Sequence, residues 1–470
     1  MRIIDRTQRQ SRRANVHAIL VGFTVIAALM APLSPRAWAQ PSVFVSNVPD
    51  LYNAVNDPAN AGAKVVIAPG TYVLIHTFPN DGRLELQQGM SLIGQTSDPS
   101  SVVIDASDLQ STTTGHVRMG RGSNAVEWLT IQNGAGTGLI ETDLPPTSEP
   151  THIRVAHVIL QTGAARGIDF RAVGSAFNGR TIDGVFESNV IRNITRASGE
   201  GMRAYLLQAV SATMNVTLRN NSFSGNQIGL LAANNSSSTS TITIDSAGDQ
   251  FTDNRAGCWL IGGIGATSAG NVLVFTARND QFNENNRAQT ARPYTTGGGI
   301  VAMGAALQGH DNRTRLEVLD SRFTGNTIAD VSVYGYYDPL SGAPGINNVL
   351  ELRPSAITPT ITPSDPPDPS NTNTVILLPP IPTLTVNSTY CIGTSWSLQV
   401  SKAAASSNIR LLGSSNGVPW EIPRWRTTGT DGAFSETGAF AAGTQGSYTL
   451  WLEVAGIFSR TTSFVVSDCP

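Results

Sequence analysis

The sequence predicts an all-β protein: a parallel β-helix with a short cap helix at its start, then a small antiparallel β-sandwich. Three observations carry this prediction. A polar-x-Phe-x-x-Asn pattern recurs through the middle of the chain at roughly thirty-residue intervals, a period typical of solenoids. The segments between copies are short apolar strands broken by Gly, Pro, Ser and Asn, and none carries a convincing helix. The last stretch, 383–470, instead alternates apolar and polar residues at period two.

The chain has 470 residues, with 45 Gly, 26 Pro and only 14% charged residues. Forty per cent of the residues are hydrophobic, enough for a sizeable core, and the formal net charge is −3. No clustered basic face is visible, so a nucleic-acid partner is not expected. Low charge with abundant Gly, Ser, Thr and Asn suits an extracellular β protein.

Residues 1–39 read as an export signal. Arg2, Arg6, Arg9, Arg12 and Arg13 form a basic leader, an apolar run follows from about Ala18 to Ala31, and Ala37-Trp38-Ala39 offers a small-x-small cleavage site. The run is short for a bilayer span of ~20 residues, so cleavage near Ala39 is expected, with no transmembrane segment in the mature chain. Secretion, or a periplasmic or cell-surface location, follows. Ser11-Arg12-Arg13 leaves the general and twin-arginine routes both open.

The β-helix is assigned to 40–353. Asp50 is the expected N-cap of a helix that places Leu51, Ala54 and Val55 on one face. Such a helix would cover the open end of a solenoid, where strand edges and core would otherwise be bare. Val65-Val66-Ile67-Ala68-Pro69-Gly70-Thr71-Tyr72-Val73-Leu74 then reads as strand, corner, strand. Further short strands follow at Leu84-Glu85-Leu86, Met90-Ser91-Leu92-Ile93-Gly94 and Val102-Val103-Ile104-Asp105. The repeat copies are clearest at Phe223/Asn226, Phe251/Asn254, Phe282/Asn285 and Phe323/Asn326. The phenylalanines are expected to stack inside. The asparagines should form a ladder at a corner, where Asn tolerates left-handed backbone.

The cap helix, "AKVVIAPGTYVL", "LELQQGMSLIGQ" and "VVIDAS" together resemble the opening coils of the pectin-lyase-like superfamily. The resemblance covers about 43–353 and implies a right-handed parallel β-helix. It says little about chemistry, because this fold hosts many functions.

Pro354, Pro359, Pro363, Pro366, Pro367, Pro369, Pro379, Pro380 and Pro382 mark 354–382 as an extended linker. Segment 383–470 is expected to be an immunoglobulin-like sandwich in the loose architectural sense. Cys391 and Cys469 bracket it and are expected to pair, while Cys258, in an apolar strand, reads as a buried structural thiol.

Two functional readings stay open. The polygalacturonase-type patterns NTD, DD, GHG and RIK are absent. This favours a non-catalytic scaffold or binding surface for a polysaccharide or cell-envelope glycan. The alternative is a polysaccharide lyase or glycoside hydrolase with its site near 166–203, a region dense in charge. There Asp169, Asp183 and Glu187 are candidate acid–base or calcium-binding groups, and Arg171 or Arg203 a candidate partner for a uronate. Calcium belongs only to that alternative; no other cofactor and no metal site is expected. Tyr334, Tyr336, Tyr337, Trp420 and Trp425 are candidate sugar-stacking residues, and His310-Asp311 is a weaker polar cluster. Nothing in the sequence sets the oligomeric state.

Overall fold

The computed structural model describes residues 40–467, apart from 110–113, 147–150, 164, 196–198, 286–297, 327–328, 338–344, 354–358, 366–371, 380, 387–388, 392–394, 404–405, 432, 440–443, 456 and 460. The expected export signal, 1–39, and Cys469 lie outside the described residues. Among those residues no helix is long and apolar enough to cross a membrane.

Up to Leu377 the chain winds into a parallel β-solenoid. Its coils build three parallel sheets of twelve, nine and ten strands, here called the first, second and third faces in chain order. The early apolar segments become Lys64–Ile67 on the first face and Gly70–Val73 on the second. Between them Ala68 N donates to Val45 O at 2.9 Å. Pro69, which has no N–H to offer, sits where the ladder is interrupted.

Helix Val48–Asn56 packs against strands Ser42–Val45, Lys64–Ile67 and Leu84–Glu85 at the first coil. It buries Leu51, Tyr52, Ala54 and Val55. Its cap is Asn47 and not Asp50: the Asn47 carboxamide oxygen accepts the Asp50 N–H at 2.9 Å, which leaves Asp50 in the first turn. Tyr52 donates its hydroxyl to Gly82 O and stacks on Phe78, 4.4 Å between centroids.

The phenylalanine column forms as expected. Phe223, Phe251, Phe282 and Phe323 pair in register on the second face, with ring centroids 4.8–4.9 Å apart and planes within 9°. That separation is the strand spacing itself, so identical residues in register must stack. The asparagine ladder forms too, but the left-handed residue at this corner is the one before each Asn, namely Gly225, Asp253, Glu284 and Gly325. Asn226, Asn254 and Asn285 each donate a backbone N–H to the carboxamide oxygen one coil on, at 3.0–3.2 Å. The same side chains donate Nδ2 to Ile191 O, Phe223 O and Phe251 O.

Two similar ladders hold the other corners: Asn189–Asn221–Asp249–Asp280, and Asn271–Asn312–Asn348–Asn373. Beside them the corners adopt positive φ at Trp128, His157, Ser188, Asn220, Gly248 and Asn279. Glycine meets that demand at Gly248 without a Cβ penalty.

The segment expected to be linker is in part a further coil. Thr360–Asp365 pairs in parallel with Val331–Tyr337, and Thr374–Leu377 with Val349–Arg353. Asn373 continues the third-corner ladder, accepting Asn348 N at 3.0 Å. Pro363 lies in the outermost strand of the ten-stranded sheet, which has a neighbour on one side only and is where proline is tolerated.

Beyond Thr383 the strands form a three-stranded antiparallel sheet and a six-stranded, mainly antiparallel one. Leu384, Leu398, Val400, Ile409, Leu411, Leu452, Phe464 and Val466 share one buried cluster between them. Cys391 is in register with Ser467 through the parallel pairing of Thr389–Cys391 with Thr462–Ser467.

Candidate functional site

The third face carries the candidate site, because its outer residues change chemistry along the solenoid. Strand Arg166–Val173 shows the rule: Ile168, Phe170 and Ala172 point into the core, while Asp169 and Arg171 point out. Register extends this through every coil. One outer column reads Glu85, Arg118, Glu141, Asp169, Arg203, Leu231, Trp259 and Val301.

The first five members are charged and knit together. Arg118 pairs with Glu85 and, through Nε, with Asp143 at 2.9 Å. Arg171 pairs with Glu141 and with Asp143 at 3.2 Å. Arg203 clasps Asp169 with two bonds of 2.8 and 2.7 Å, and Arg166 holds Glu200 at 2.5 Å. Asp169, Glu141 and Glu200 are fully buried.

These groups are desolvated although they sit on the outside of the solenoid. Burial, joined by the neighbouring Asp143 and Asp169 charges, pushes Glu141 up to about 7 despite Arg171. Burial also works against the Arg203 charge, but the Asp169 carboxylate outweighs it and raises that pKa.

The following coils are apolar. Ile228, Leu231, Ala233, Trp259, Ile261, Val301, Met303 and Tyr337 form a second buried cluster outside the solenoid core. At the seam between the two halves lies a cavity of about 180 Å³. Glu200 and Arg203 line its charged end; Tyr205, Leu231, Trp259 and Tyr337 line the rest. Arg203 lies over the Tyr205 ring, 4.7 Å from its centroid, and Asn235 donates to the Tyr205 hydroxyl at 3.2 Å.

The residues singled out in the sequence separate. Asp169, Arg171 and Arg203 share the third face. Asp183 and Glu187 do not join them, because strand Thr181–Glu187 belongs to the first face. There Asp183 meets His152 at 3.1 Å and Asn215 at 2.8 Å, and Glu187 meets Arg154 at 3.1 Å. An acid–base set of Asp169, Asp183 and Glu187 is therefore not assembled.

Tyr337 reaches the cavity with 3% of its surface exposed. Tyr336 is fully buried and accepts the Gln308 N–H, and Tyr334 tilts against Tyr337. Neither of the last two is an open platform. Trp425 packs edge-on against Phe434 at 5.3 Å and against the C-terminal core. The Trp420 side chain lies outside the described residues. His310 and Asp311 form an exposed pair at 2.8 Å, with Asn347 donating to Asp311.

Sequence reasoning passed over Glu85, Arg118, Glu141, Asp143, Tyr205 and Trp259 as site residues. Their signal, outward positions at i and i+2, becomes readable only when coils are aligned. Among the described residues no group of three or more His, Cys, Asp or Glu side chains is placed to hold a metal ion. No protein-family model matches the chain, and no curated protein matches it.

Proposed function

We propose that the chain is an exported β-helix protein of the pectin-lyase-like kind whose third face binds a saccharide of the surrounding polysaccharide or cell envelope. An immunoglobulin-like module, closed by Cys391 and Cys469, accompanies it. The cavity at the seam carries this reading: rings with an apolar body and a polar tip, beside fixed charged groups, suit a sugar's mixed surface.

Binding is favoured over cleavage by how the carboxylates are held. Asp169 and Glu200 are each engaged by an arginine, which fixes them and keeps them from trading protons with a ligand. The pairing also sets the ligand class. Arg118, Arg166, Arg171 and Arg203 are matched by Glu85, Asp143, Glu141, Asp169 and Glu200, so none of these four arginines offers a uronate a spare positive charge. A neutral saccharide is the expected ligand.

One observation favours a catalytic reading. A carboxyl raised to about 7, as Glu141 is, has the proton affinity of a general acid. The test is to incubate the full chain with neutral glycans and with uronates, with and without calcium. Binding of a neutral glycan without cleavage, weakened about tenfold by Tyr205→Ala, supports the proposal; tenfold corresponds to ~1.4 kcal/mol. Cleavage abolished by Glu141→Gln would replace it with the lyase or hydrolase reading. Neither binding nor cleavage across the panel sinks both.

A further inference from the structure

We propose that Asp249 and Asp280 share a single proton inside the solenoid, through Ser246, and that this proton makes the fold weaken as the surroundings turn alkaline. The observation is a break in one asparagine ladder. At this corner each side chain caps the backbone N–H of the preceding coil: Asn221 Oδ1 takes Asn189 N at 3.0 Å, Asp249 Oδ1 takes Asn221 N at 2.6 Å, and Asp280 Oδ1 takes Asp249 N at 2.8 Å. The asparagines have a second task. Asn189 Nδ2 donates to Val155 O and Asn221 Nδ2 to Phe186 O, both at 2.9 Å.

An aspartate has no such donor. The next carbonyl in that register, Leu218 O, is taken instead by Arg219 Nη1 at 2.7 Å. The two spare carboxyl oxygens, Asp249 Oδ2 and Asp280 Oδ2, both lie 2.7 Å from Ser246 Oγ.

A hydroxyl carries one hydrogen and can donate to only one of them. The other contact needs a proton on a carboxyl, since two lone-pair oxygens do not settle at hydrogen-bond distance in a buried site. Asp249 is the better-served anion, because Asn221 gives it both a backbone and a side-chain N–H. Asp280 therefore holds the proton. Its Oδ2–H donates to Ser246 Oγ, and Ser246 Oγ–H donates to Asp249 Oδ2.

Both carboxyls are fully buried. The groups acting on them include each other, the buried Cys258 thiol from the third face and Arg219 from the first, where Arg219 and the neighbouring Arg278 both also pair with Asp245. Burial first, and the Asp249 charge second, raise Asp280 from 3.8 to about 7. Unfolded, Asp280 returns to its ordinary value. The folded chain thus holds the extra proton between the two. The stability it confers is complete below about 3.8 and is lost as pH rises through about 7, when the proton passes to water and two adjacent carboxylates are left charged in the core.

The test is thermal unfolding of the full chain from pH 5 to pH 9, wild type against Asp280→Asn. Asparagine keeps the cap on Asp249 N and supplies a permanent donor to Ser246. Its margin in Tm over wild type should grow from pH 5 to pH 8, so that its own Tm varies less between them. Parallel Tm curves for the two proteins would overturn the proposal. If Asp280→Asn does not fold, infrared spectroscopy decides in a Glu141→Gln background: a protonated-carboxyl band at pH 6 that vanishes by pH 9 supports the shared proton, and its absence at pH 6 refutes it.

Discussion

The two halves of the third face share one backbone and one inner column but differ in what they show outward. Inside, Ile140, Ile168, Met202, Leu230, Cys258 and Ile300 continue the same apolar column from coil to coil. Outside, Glu141, Asp169 and Arg203 give way to Leu231, Trp259 and Val301. A solenoid separates these tasks, because alternate residues of a strand face opposite ways. The inner column holds the coils together, while the outer column changes chemistry from coil to coil without disturbing it. The cavity lies where the two outer chemistries meet.

The largest effect is expected in the apolar half. Trp259 is 2% exposed and fills the outer cluster, so Trp259→Ala should cost about 4 kcal/mol, read by chemical denaturation, with little salt dependence. In the charged half, Arg203→Met should cost about 3 kcal/mol because it leaves the buried Asp169 short of its main partner. Replacing both, Asp169→Leu with Arg203→Met, should recover most of that loss. A double variant as unstable as the single one would show that the pair is not the unit that matters.

The charged half should also respond to pH. Glu141 is raised from 4.5 to about 7, so it stabilises fully below about 4.5 and loses that contribution as pH rises through about 7. Glu141→Gln should flatten the decline by about 2–3 kcal/mol. His116 runs the other way: burial, then Arg83, lowers it from 6.5 to about 4, so its burial costs stability at acid pH and ceases to do so as pH climbs past about 6.5. His116→Asn should therefore raise Tm relative to wild type only on the acid side. The smallest effect belongs to the first face. Glu187→Gln breaks a half-exposed pair with Arg154 and should change stability by less than ~1 kcal/mol and glycan binding not at all. A loss of binding there would move the site off the third face.

Columns made of one residue type are legible in the amino-acid sequence. Phe223, Phe251, Phe282 and Phe323, with Asn226, Asn254, Asn285 and Asn326, announce themselves by recurrence. The corner ladder Asn189–Asn221–Asp249–Asp280 is harder to see, because its members change identity from coil to coil. The extra coil in 354–382 is hidden by prolines, which mark a linker and an outermost strand alike.

The amino-acid order is enough to write the inside of this protein: strands too short for helices, corners that accept left-handed backbone, and apolar and amide columns whose repeat sets the coil. Tertiary structure alone decided which outward residues meet. Successive Asn ladder partners are separated by 28, 31 and 41 residues, so no fixed offset relates Asp169 to Arg203 or Leu231 to Trp259. Their pairing follows from backbone hydrogen bonds between coils, which hold the register and let the corners absorb each insertion.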